Sequence, residues 1–255
     1  MPAHRPSQGT LPGSSVLAVC AHPDDESFGL GAVLSHLGAR GARIAVLCFT
    51  HGEASTLGAS PTGLREIRTA ELRAAARELG VSYVDLLDHP DGALASVPLD
   101  RLARAVEETV TTVAADLLLV FDQGGVTGHP DHVRATEAAL AGAGQLPVLG
   151  WNVPQRVASA LNAEFGTAFA GRHDRDFDII IPVDRVAQLR AISHHASQST
   201  DNPVLWRRLE LLGNTESLRW LNRPWASSPG APSAKDGCSA GPQALDLAAI
   251  PVQLG

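Results

Sequence analysis

Two clusters of ionisable side chains, each placed just after a short apolar run, contain the residues whose types and spacing suit catalysis. The first covers 21–26 (AHPDDE) and follows the run 15–20; the second covers 129–132 (HPDH) and follows the run 117–121 and a glycine-rich turn. A short apolar run that ends in a polar turn is typical of a buried strand. Ligands of open parallel sheets bind beyond the carboxyl ends of the strands, so we expect both clusters to line one crevice.

The histidine and carboxylate side chains of the two clusters have the composition of a catalytic metal site. Zinc at such a site takes three protein ligands, often histidine and carboxylate, and keeps one position for water. His22, Asp25 and His132 would supply that set, and their one negative charge leaves the centre at about +1, which is still a Lewis acid. We therefore expect Zn²⁺ as the cofactor, although Fe²⁺ accepts the same ligands.

The remaining ionisable residues of the clusters suggest further roles. Asp24 precedes a ligand and is free to accept a proton from the metal-bound water as general base. His129 lies three residues before His132 in a first helical turn, so it reaches the same cavity and could stabilise an oxyanion or protonate a leaving amine. Glu26 and Asp131 are expected to act as hydrogen-bond partners that fix the tautomers and orientation of the imidazoles.

Strands and helices alternate along the chain. Apolar runs predict strands over 15–20, 43–50, 81–86, 117–121, 147–153 and 178–183. Helical spacing predicts helices from Ser27 to about 38, over 64–79, 99–115, 130–141, 155–165 and 184–195, and short helices over 204–212 and 216–221. This alternation predicts an α/β fold whose strands are parallel and joined by right-handed crossovers.

Length and composition favour one domain with two irregular ends. The 255 residues fall within the range of one large α/β domain. We expect a flexible arm over 1–13, a single domain over 14–225, and a disordered low-complexity tail over 226–255, where Ala, Ser, Pro and Gly dominate.

The charge pattern bears on partners and location. The net charge is −7 and there is no Lys/Arg cluster, so neither a nucleic acid nor an anionic membrane is expected as a partner. No apolar run has the roughly 18 residues of a membrane span, and no signal-peptide pattern opens the chain. A cytoplasmic location is therefore expected.

The cysteines predict no disulfide framework and no thiolate zinc site. Cys20, Cys48 and Cys238 are odd in number and have no CxxC spacing. Cys20 and Cys48 lie in predicted strands, where we expect them to act as small buried apolar residues.

The two clusters resemble the motifs of the PIG-L/LmbE-like family of zinc-dependent N-acetylglucosaminyl deacetylases, which includes the mycothiol- and bacillithiol-pathway deacetylases. Residues 21–26 match the first motif of the family without departure, and 128–132 (GHPDH) match the second. The order of strands and helices is similar from about 15 to 221. The resemblance implies a Rossmann-like three-layer α/β/α fold with a mainly parallel sheet.

The resemblance also implies roles for individual residues. It gives the metal ligands, the general base Asp24 and the oxyanion-stabilising His129 already named, and it places Arg68 and Asp91 against the substrate. The segment 195–198 (HASQ) resembles the H-x-S-Q signature of the family, for which we expect a structural role near the site. Thr127 stands where the mycothiol-pathway member has an assisting tyrosine, and threonine is too short for that role.

The predicted function is hydrolysis of an acetamido group on an amino sugar or a related small-molecule conjugate. Metal-bound water, deprotonated by Asp24, would attack the acetyl carbonyl, and the metal and His129 would stabilise the oxyanion. The expected partner is thus a small-molecule acetamido substrate that is sugar-based; the oligomeric state is not predicted.

Two alternatives belong to other functional classes. The pattern His22-Pro23-Asp24 reads H-x-D, which with a distant histidine could form the facial triad of a non-heme iron oxygenase. Such sites usually occur in all-β jelly rolls, whereas this chain alternates strands and helices. A non-catalytic Rossmann-like ligand-binding module is the second alternative, but neither G-x-G-x-x-G nor a P-loop pattern follows the first strand.

Overall fold

The computed structural model describes residues 11–57, 62–223 and 252–254. Most of the expected arm and most of the expected disordered tail lie outside these ranges. Within the arm, the side chain of Leu11 is buried against the core. Within the tail, Val252–Leu254 forms a short strand. The domain boundaries at 14 and 225 stay a prediction.

One sheet forms the centre of the fold. Its strands, counted over the described residues, are β1 (Ser15–Cys20), β2 (Arg43–Thr50), β3 (Val81–His89), β4 (Leu117–Phe121), β5 (Val148–Asn152), β6 (Ile179–Pro182), β7 (Thr215–Asn222) and β8 (Val252–Leu254). They lie in the order β6-β7-β5-β4-β1-β2-β3-β8. β7 runs antiparallel to β5 and β6, and the other neighbouring pairs are parallel. The predicted mainly parallel sheet is confirmed.

Helices cover both faces of the sheet. They are α1 (Asp25–Phe28), α2 (Gly31–Gly38), α3 (Leu64–Glu78), α4 (Leu99–Val113), α5 (Pro130–Gly142), α6 (Gln155–Phe165), α7 (Val186–His194), α8 (Ala196–Ser199) and α9 (Pro203–Leu212). In β1, Val16 and Ala18 belong to the same buried cluster as α2 and α3, whereas Leu17 and Val19 pack with α4 and α5. Burial on both faces explains the unbroken apolar run of this strand. The three-layer α/β/α arrangement is confirmed.

The segment 216–221 is a strand, and its prediction as a short helix was wrong. It belongs to β7, where Trp220 pairs with Leu149 of β5 and Ser217 pairs with Ile180 of β6. A short apolar run fits a helix or a strand equally well by periodicity. The partners that decide between the two lie far away in the chain, so local sequence did not reveal them.

The centre of the sheet is also the point where strand order reverses. β1 and β4 are neighbours; β2 and β3 follow on one side of them, and β5 follows on the other. At such a point a crevice opens beyond the carboxyl ends of the two strands. The first cluster follows the end of β1 and the second follows the end of β4, so the topology brings them together.

No helix in the described part of the chain is long and apolar enough to cross a membrane.

Candidate active site

The first cluster turns sharply from β1 into the short helix α1. Asp24 adopts φ 150° and ψ −23°, a positive-φ conformation that side chains other than glycine rarely take. The next carboxylate, that of Asp25, folds back onto the strand end, where its Oδ2 accepts hydrogen bonds from the amides of Ala21 and His22, both at 3.0 Å. These bonds leave Asp25 Oδ1 available for a third partner.

The second cluster is positioned by a tight turn and a helix start. Gly124, Gly125, Val126 and Gly128 all have positive φ, which reverses the chain after β4. A side chain at Gly125 would press against His132 and the amide of Val133, each about 3.0 Å from a Cβ there, so the close approach requires glycine. Helix α5 then begins at Pro130, and its first turn carries His132 to the end of β1.

The side chains of His22, Asp25 and His132 converge. His132 Nε2 lies 3.1 Å from His22 Nδ1 and 3.1 Å from Asp25 Oδ1, and His22 Nδ1 lies 3.9 Å from Asp25 Oδ2. Ligands of a tetrahedral zinc ion, bound at about 2.0–2.1 Å, are about 3.3 Å apart. All three residues are buried. The separations therefore suit a single bound cation.

The far side of each imidazole is held by a protein oxygen. His132 Nδ1 donates to the hydroxyl of Thr127 at 2.8 Å. His22 Nε2 lies 3.1 Å from Asp91 Oδ1 and 3.4 Å from Asp131 Oδ2. A neutral imidazole whose proton is held on this outer nitrogen presents the lone pair of its inner nitrogen to the shared space, which is the form that metal ligation requires. The donor set thus fits a divalent cation.

Asp131 binds two backbone amides in addition to the imidazole of His22. Its carboxylate also accepts hydrogen bonds from the amides of Gly92 at 2.8 Å and Leu94 at 3.0 Å, which ties the loop after β3 to helix α5. Burial opposes ionisation of Asp131, yet the bond to His22 and these amides lower its pKa. Burial also opposes the charged form of His22 and by itself would lower the pKa of that ring. The hydrogen bonds to Asp131 and Asp91 outweigh burial and raise the pKa of His22 to about 10.

A second group of donor atoms shares one residue with the first. Donor atoms of His22, His129 and Asp131 also lie within 4.8 Å of one another. In this group, however, His129 Nδ1 accepts a hydrogen bond from the amide of Asp131 at 3.2 Å, and the Asp131 carboxylate is already engaged by backbone amides. The first group is therefore the better candidate.

Asp24 is held by Arg68, which is 3% exposed. The guanidinium donates to Asp24 Oδ2 at 2.8 Å, to the carbonyl of Pro23 at 2.7 Å and to the carbonyl of Gly52 at 2.6 Å. Burial raises the pKa of Asp24, and the charge of Arg68 opposes that effect. The resemblance placed Arg68 and Asp91 against the substrate. Both line the cavity described below, but their contacts are with Asp24 and His22, respectively.

Glu26 contacts neither His22 nor His132, the imidazoles it was expected to orient. It is fully buried; its Oε2 accepts from the amide of Asp24 at 2.9 Å, and its Oε1 accepts from His195 Nε2 at 2.7 Å. Burial lowers the pKa of His195, but the charge and hydrogen bond of Glu26 outweigh it and raise that pKa. This pair supports the backbone of Asp24 where it takes its unusual conformation.

The rest of the segment 195–198 connects three parts of the site. Ser197 donates two hydrogen bonds to Glu71 of α3, at 2.8 Å from its amide and 2.6 Å from its hydroxyl. Gln198 Oε1 accepts from the hydroxyl of Ser55 in the loop after β2 at 2.7 Å. Together with the bond from His195 to Glu26, these contacts make the segment a brace behind the first cluster.

His129 stands at the exposed side of the cluster. Its ring centroid lies 4.8 Å from that of His22 and 5.1 Å from that of His132. Burial, together with the charges of these two histidines, lowers its pKa. Because its Nδ1 accepts the amide of Asp131, its Nε2 is the nitrogen that carries the proton in the neutral ring.

A cavity of about 560 Å³ opens onto these residues. Its polar lining includes His22, Asp24, Asp91, His129 and Gln198. Its apolar lining includes Phe28, Phe121, Phe169, Val204 and Leu205. This volume lies within the range of small-molecule sites.

Two contributors to the site were not identified from sequence. Thr127 was considered only as a replacement for tyrosine, yet its hydroxyl holds a candidate ligand. The sequence did carry a signal for this contact: a threonine lies five residues before His132, within a glycine-rich turn that could bring the two side chains together. Arg208 of α9 also lines the cavity, and nothing in its local sequence distinguishes it from the half-buried Arg207 beside it.

The family model described as PIG-L, GlcNAc-PI de-N-acetylase, matches residues 17–143. This region includes both clusters.

Cys20 and Cys48 are buried as expected, and burial raises the pKa of both thiols well above the usual value. Cys238 lies outside the described residues.

Relatives with the same named activity occur in several bacteria. A 1D-myo-inositol 2-acetamido-2-deoxy-alpha-D-glucopyranoside deacetylase of Salinispora arenicola is 30% identical over 77% of this chain and 80% of its own length. A protein of that name from Kineococcus radiotolerans is 33% identical over 49% of this chain. The chain spans 43% of the length of the Kineococcus protein.

A solved structure shares the fold. The N,N'-diacetylchitobiose deacetylase of Pyrococcus horikoshii superposes with a TM-score of 0.61 at 22% identity, over 82% of this chain and 84% of that one. This likeness confirms the Rossmann-like α/β architecture. The extent of the match to the Salinispora protein, together with the family model, confirms the resemblance: the chain belongs to the PIG-L family of de-N-acetylases.

Proposed function

We propose that this chain is a metal-dependent hydrolase that removes the acetyl group from the nitrogen of an amino sugar or a related small-molecule conjugate. The observation that supports the proposal most is the convergence of His22, Asp25 and His132 on one space beside Asp24, at the edge of a cavity. The named activities of the relatives, all deacetylations of acetamido sugars, agree with it.

The donor set defines what the site would hold. Two neutral imidazoles and one carboxylate suit Zn²⁺, and Fe²⁺ accepts the same donors. When bound, the cation supplies Lewis acidity, which polarises the acetyl carbonyl and lowers the pKa of water. His22 and His132 are kept in the tautomers that this role needs by Asp91, Asp131 and Thr127.

Asp24 is proposed as the general base. Arg68 engages its Oδ2, and among the described residues no hydrogen bond occupies its Oδ1. Asp24 takes a proton from the water that attacks the acetyl carbon and later returns it to the departing amine. Burial favours the protonated form of Asp24, which suits the second transfer, while the charge of Arg68 favours the ionised form needed for the first.

His129 is proposed to stabilise the oxyanion. The attacked carbonyl oxygen gains negative charge in the transition state, and a fixed N–H donor aimed at it lowers the barrier. The amide of Asp131 holds Nδ1 of His129, which leaves Nε2–H as the donor. The exposed side of the cluster, where His129 stands, is the side from which a substrate enters.

Arg68 and Asp91 are proposed to act mainly as positioning residues. Arg68 keeps Asp24 in place, and Asp91 keeps His22 in place. Contact of either one with the substrate stays a prediction from the family resemblance. The cytoplasmic location and the lack of a nucleic-acid or membrane partner also stay predictions from the sequence.

The proposal is tested by acetate release from a panel of N-acetylglucosamine glycosides. Protein freed of metal is reconstituted separately with Zn²⁺ and Fe²⁺, and Asp24→Asn serves as the matched variant. We expect turnover that depends on the added metal and falls at least about a hundredfold in the variant, whose metal content is unchanged. Stoichiometric metal without hydrolysis of any glycoside would favour the ligand-binding module; oxygen consumption with Fe²⁺ and an oxo-acid would favour the oxygenase.

A further inference from the structure

Arg208 is a buried cation on the wall of the active-site cavity. It is 5% exposed, yet it lines the same cavity as His129 and His132. One of its five N–H groups donates to the carbonyl of Phe28 at 2.8 Å, and its Nε has no hydrogen-bond partner among the described residues. Its guanidinium carbon lies 5.5 Å from the centre of the Trp151 ring. A buried guanidinium with so few partners is costly unless another group binds it.

The carboxylate whose charge acts most on Arg208, that of Glu216, already binds two other side chains. Glu216 accepts a hydrogen bond from Arg185 at 2.6 Å and another from the Trp151 indole at 2.6 Å. No ion pair within 4.0 Å joins Arg208 to any carboxylate in the described ranges. Glu216 thus already pairs with Arg185, and Arg208 has no ion-pair partner of its own among the described residues.

The surroundings of Arg208 restrict what can bind there. The apolar side chains of Phe28, Phe121, Val204 and Leu205 line the same cavity. In such a low-dielectric wall a guanidinium attracts an anion strongly and offers several N–H donors to its oxygens. Neutral hydroxyl groups of a sugar would leave the charge uncompensated.

We propose that Arg208 binds an oxyanion, a carboxylate or a phosphate, that the substrate carries on a part other than the reacting acetamido group. The proposal rests on the deacetylase function proposed above and narrows its substrate class to anionic acetamido conjugates. The hydrocarbon stem of the substrate that bears the anion lies along the apolar wall. Arg208 is a specificity-determining residue in this account and takes no part in the bond breaking.

The test compares three N-acetylglucosaminides that differ only in the aglycone: phenyl, carboxyphenyl and phosphorylated phenyl. Wild type is expected to show a KM at least about tenfold lower for an anionic glycoside than for the neutral one. The two anionic compounds distinguish a carboxylate from a phosphate. Equal KM values for all three would overturn the proposal.

Variants show whether Arg208 causes the preference. Arg208→Met keeps an apolar stem and is expected to abolish the preference while leaving kcat/KM for the phenyl glycoside within about twofold. Arg208→Lys, which keeps the charge with fewer donors, is expected to retain part of it. Arg207→Met, at the neighbouring arginine that does not line the cavity, is the control and should behave as wild type. Equal weakening for neutral and anionic glycosides in Arg208→Met would indicate a purely structural role and contradict the proposal.

A binding measurement separates this proposal from the proposed function. Calorimetry with the corresponding glucosamine products, neutral and anionic, needs no turnover. An anion preference that Arg208→Met removes would support the Arg208 site even if no acetate were released, and the deacetylase function alone would then fail. Turnover without any anion preference would refute the Arg208 site and leave the function standing. If Arg208→Met does not fold, Arg208→Lys decides: a smaller anion preference than in wild type supports the Arg208 site, and an unchanged preference contradicts it.

Discussion

Nδ1 of His22 lies 3.1 Å from Nε2 of His132, although 110 residues separate the two histidines in the chain. The outer nitrogen of each ring is engaged by a protein oxygen, so the inner nitrogens face each other across a space that Asp25 also borders. Without a cation, a proton on one ring lies between the two nitrogens, in keeping with the raised pKa of His22. The proposed metal site is the arrangement in which a divalent cation takes the place of that proton.

The contact between Gly52 and Arg68 gives a prediction about Asp24, the proposed general base. Gly52→Ala would place a Cβ where the Arg68 guanidinium lies, so Arg68 and its partner Asp24 must move. We expect kcat to fall at least about tenfold, because small displacements of a catalytic group are costly. Steady-state acetate release measures the effect.

Gly80→Ala is the matched control for that variant. Gly80 has φ +68° and open space around it, and Gly52 has φ +67°, so both substitutions carry the same backbone strain. Only Gly52→Ala meets Arg68. Equal activities of the two variants would show that the position of Arg68 does not matter for turnover.

Thr127 is predicted to support the metal through His132. Thr127→Val removes the hydroxyl that holds His132 Nδ1 at 2.8 Å. Loss of such a partner typically lowers metal affinity about 10–100-fold, and we expect that range in a chelator competition assay with Zn²⁺. Thr127→Ser, which keeps the hydroxyl, should bind metal as wild type does. Thr112→Val, on the exposed face of α4, is the control for a threonine-to-valine change away from the site. Unchanged metal affinity in Thr127→Val would show that the Thr127 hydroxyl does not support His132 as a ligand.

His195 is predicted to act on catalysis through Glu26 and the backbone of Asp24. His195→Leu should lower kcat about tenfold to a hundredfold with little change in metal content, since it touches no ligand. His195→Gln places an amide N–H near the position of Nε2 and should restore part of kcat. If the folded His195→Leu protein turned over normally and differed from wild type only in stability, the segment would be a structural brace and nothing more.

The pair of Arg185 and Glu216 gives a prediction about stability. It is buried, with Arg185 Nη1 2.6 Å from Glu216 Oε1. Arg185→Met removes the ion-pair partner of a buried carboxylate, which should lower the free energy of unfolding by about 3–5 kcal/mol in denaturant titration. Arg207→Met, which breaks the solvent-screened pair with Glu164, should lower the free energy of unfolding far less. A comparable loss in the two variants would contradict the assigned difference in burial.

The residues predicted well from sequence are those whose partners follow from topology. Clusters at the ends of β1 and β4 had to meet once the sheet was parallel, so His22, Asp25 and His132 could be grouped without coordinates. The sequence could not reveal which way a side chain turns within a cluster. Glu26 therefore contacts His195, 169 residues away, instead of a neighbouring imidazole.

The segment 216–221 was predicted as a helix instead of a strand for the same reason: its partners lie far away in the chain. Glu216 looks like the exposed start of a short helix, but it is buried because Arg185 and Trp151 meet it from distant segments. Such pairing is a property of the packed sheet and has no local pattern. Arg208 illustrates the point again. Its side chain is buried at the cavity wall, whereas that of Arg207, one residue earlier, is 34% exposed and forms a surface ion pair with Glu164.

The central claim is that one divalent cation is held by His22, Asp25 and His132, and element-specific anomalous diffraction at the zinc edge tests it most directly. On protein carrying one equivalent of Zn²⁺, we predict a single peak bonded to His22 Nδ1, His132 Nε2 and an Asp25 oxygen, at about 2.0–2.2 Å. A peak bonded instead to His129 and Asp131, or no peak within reach of both His22 and His132, would contradict the account.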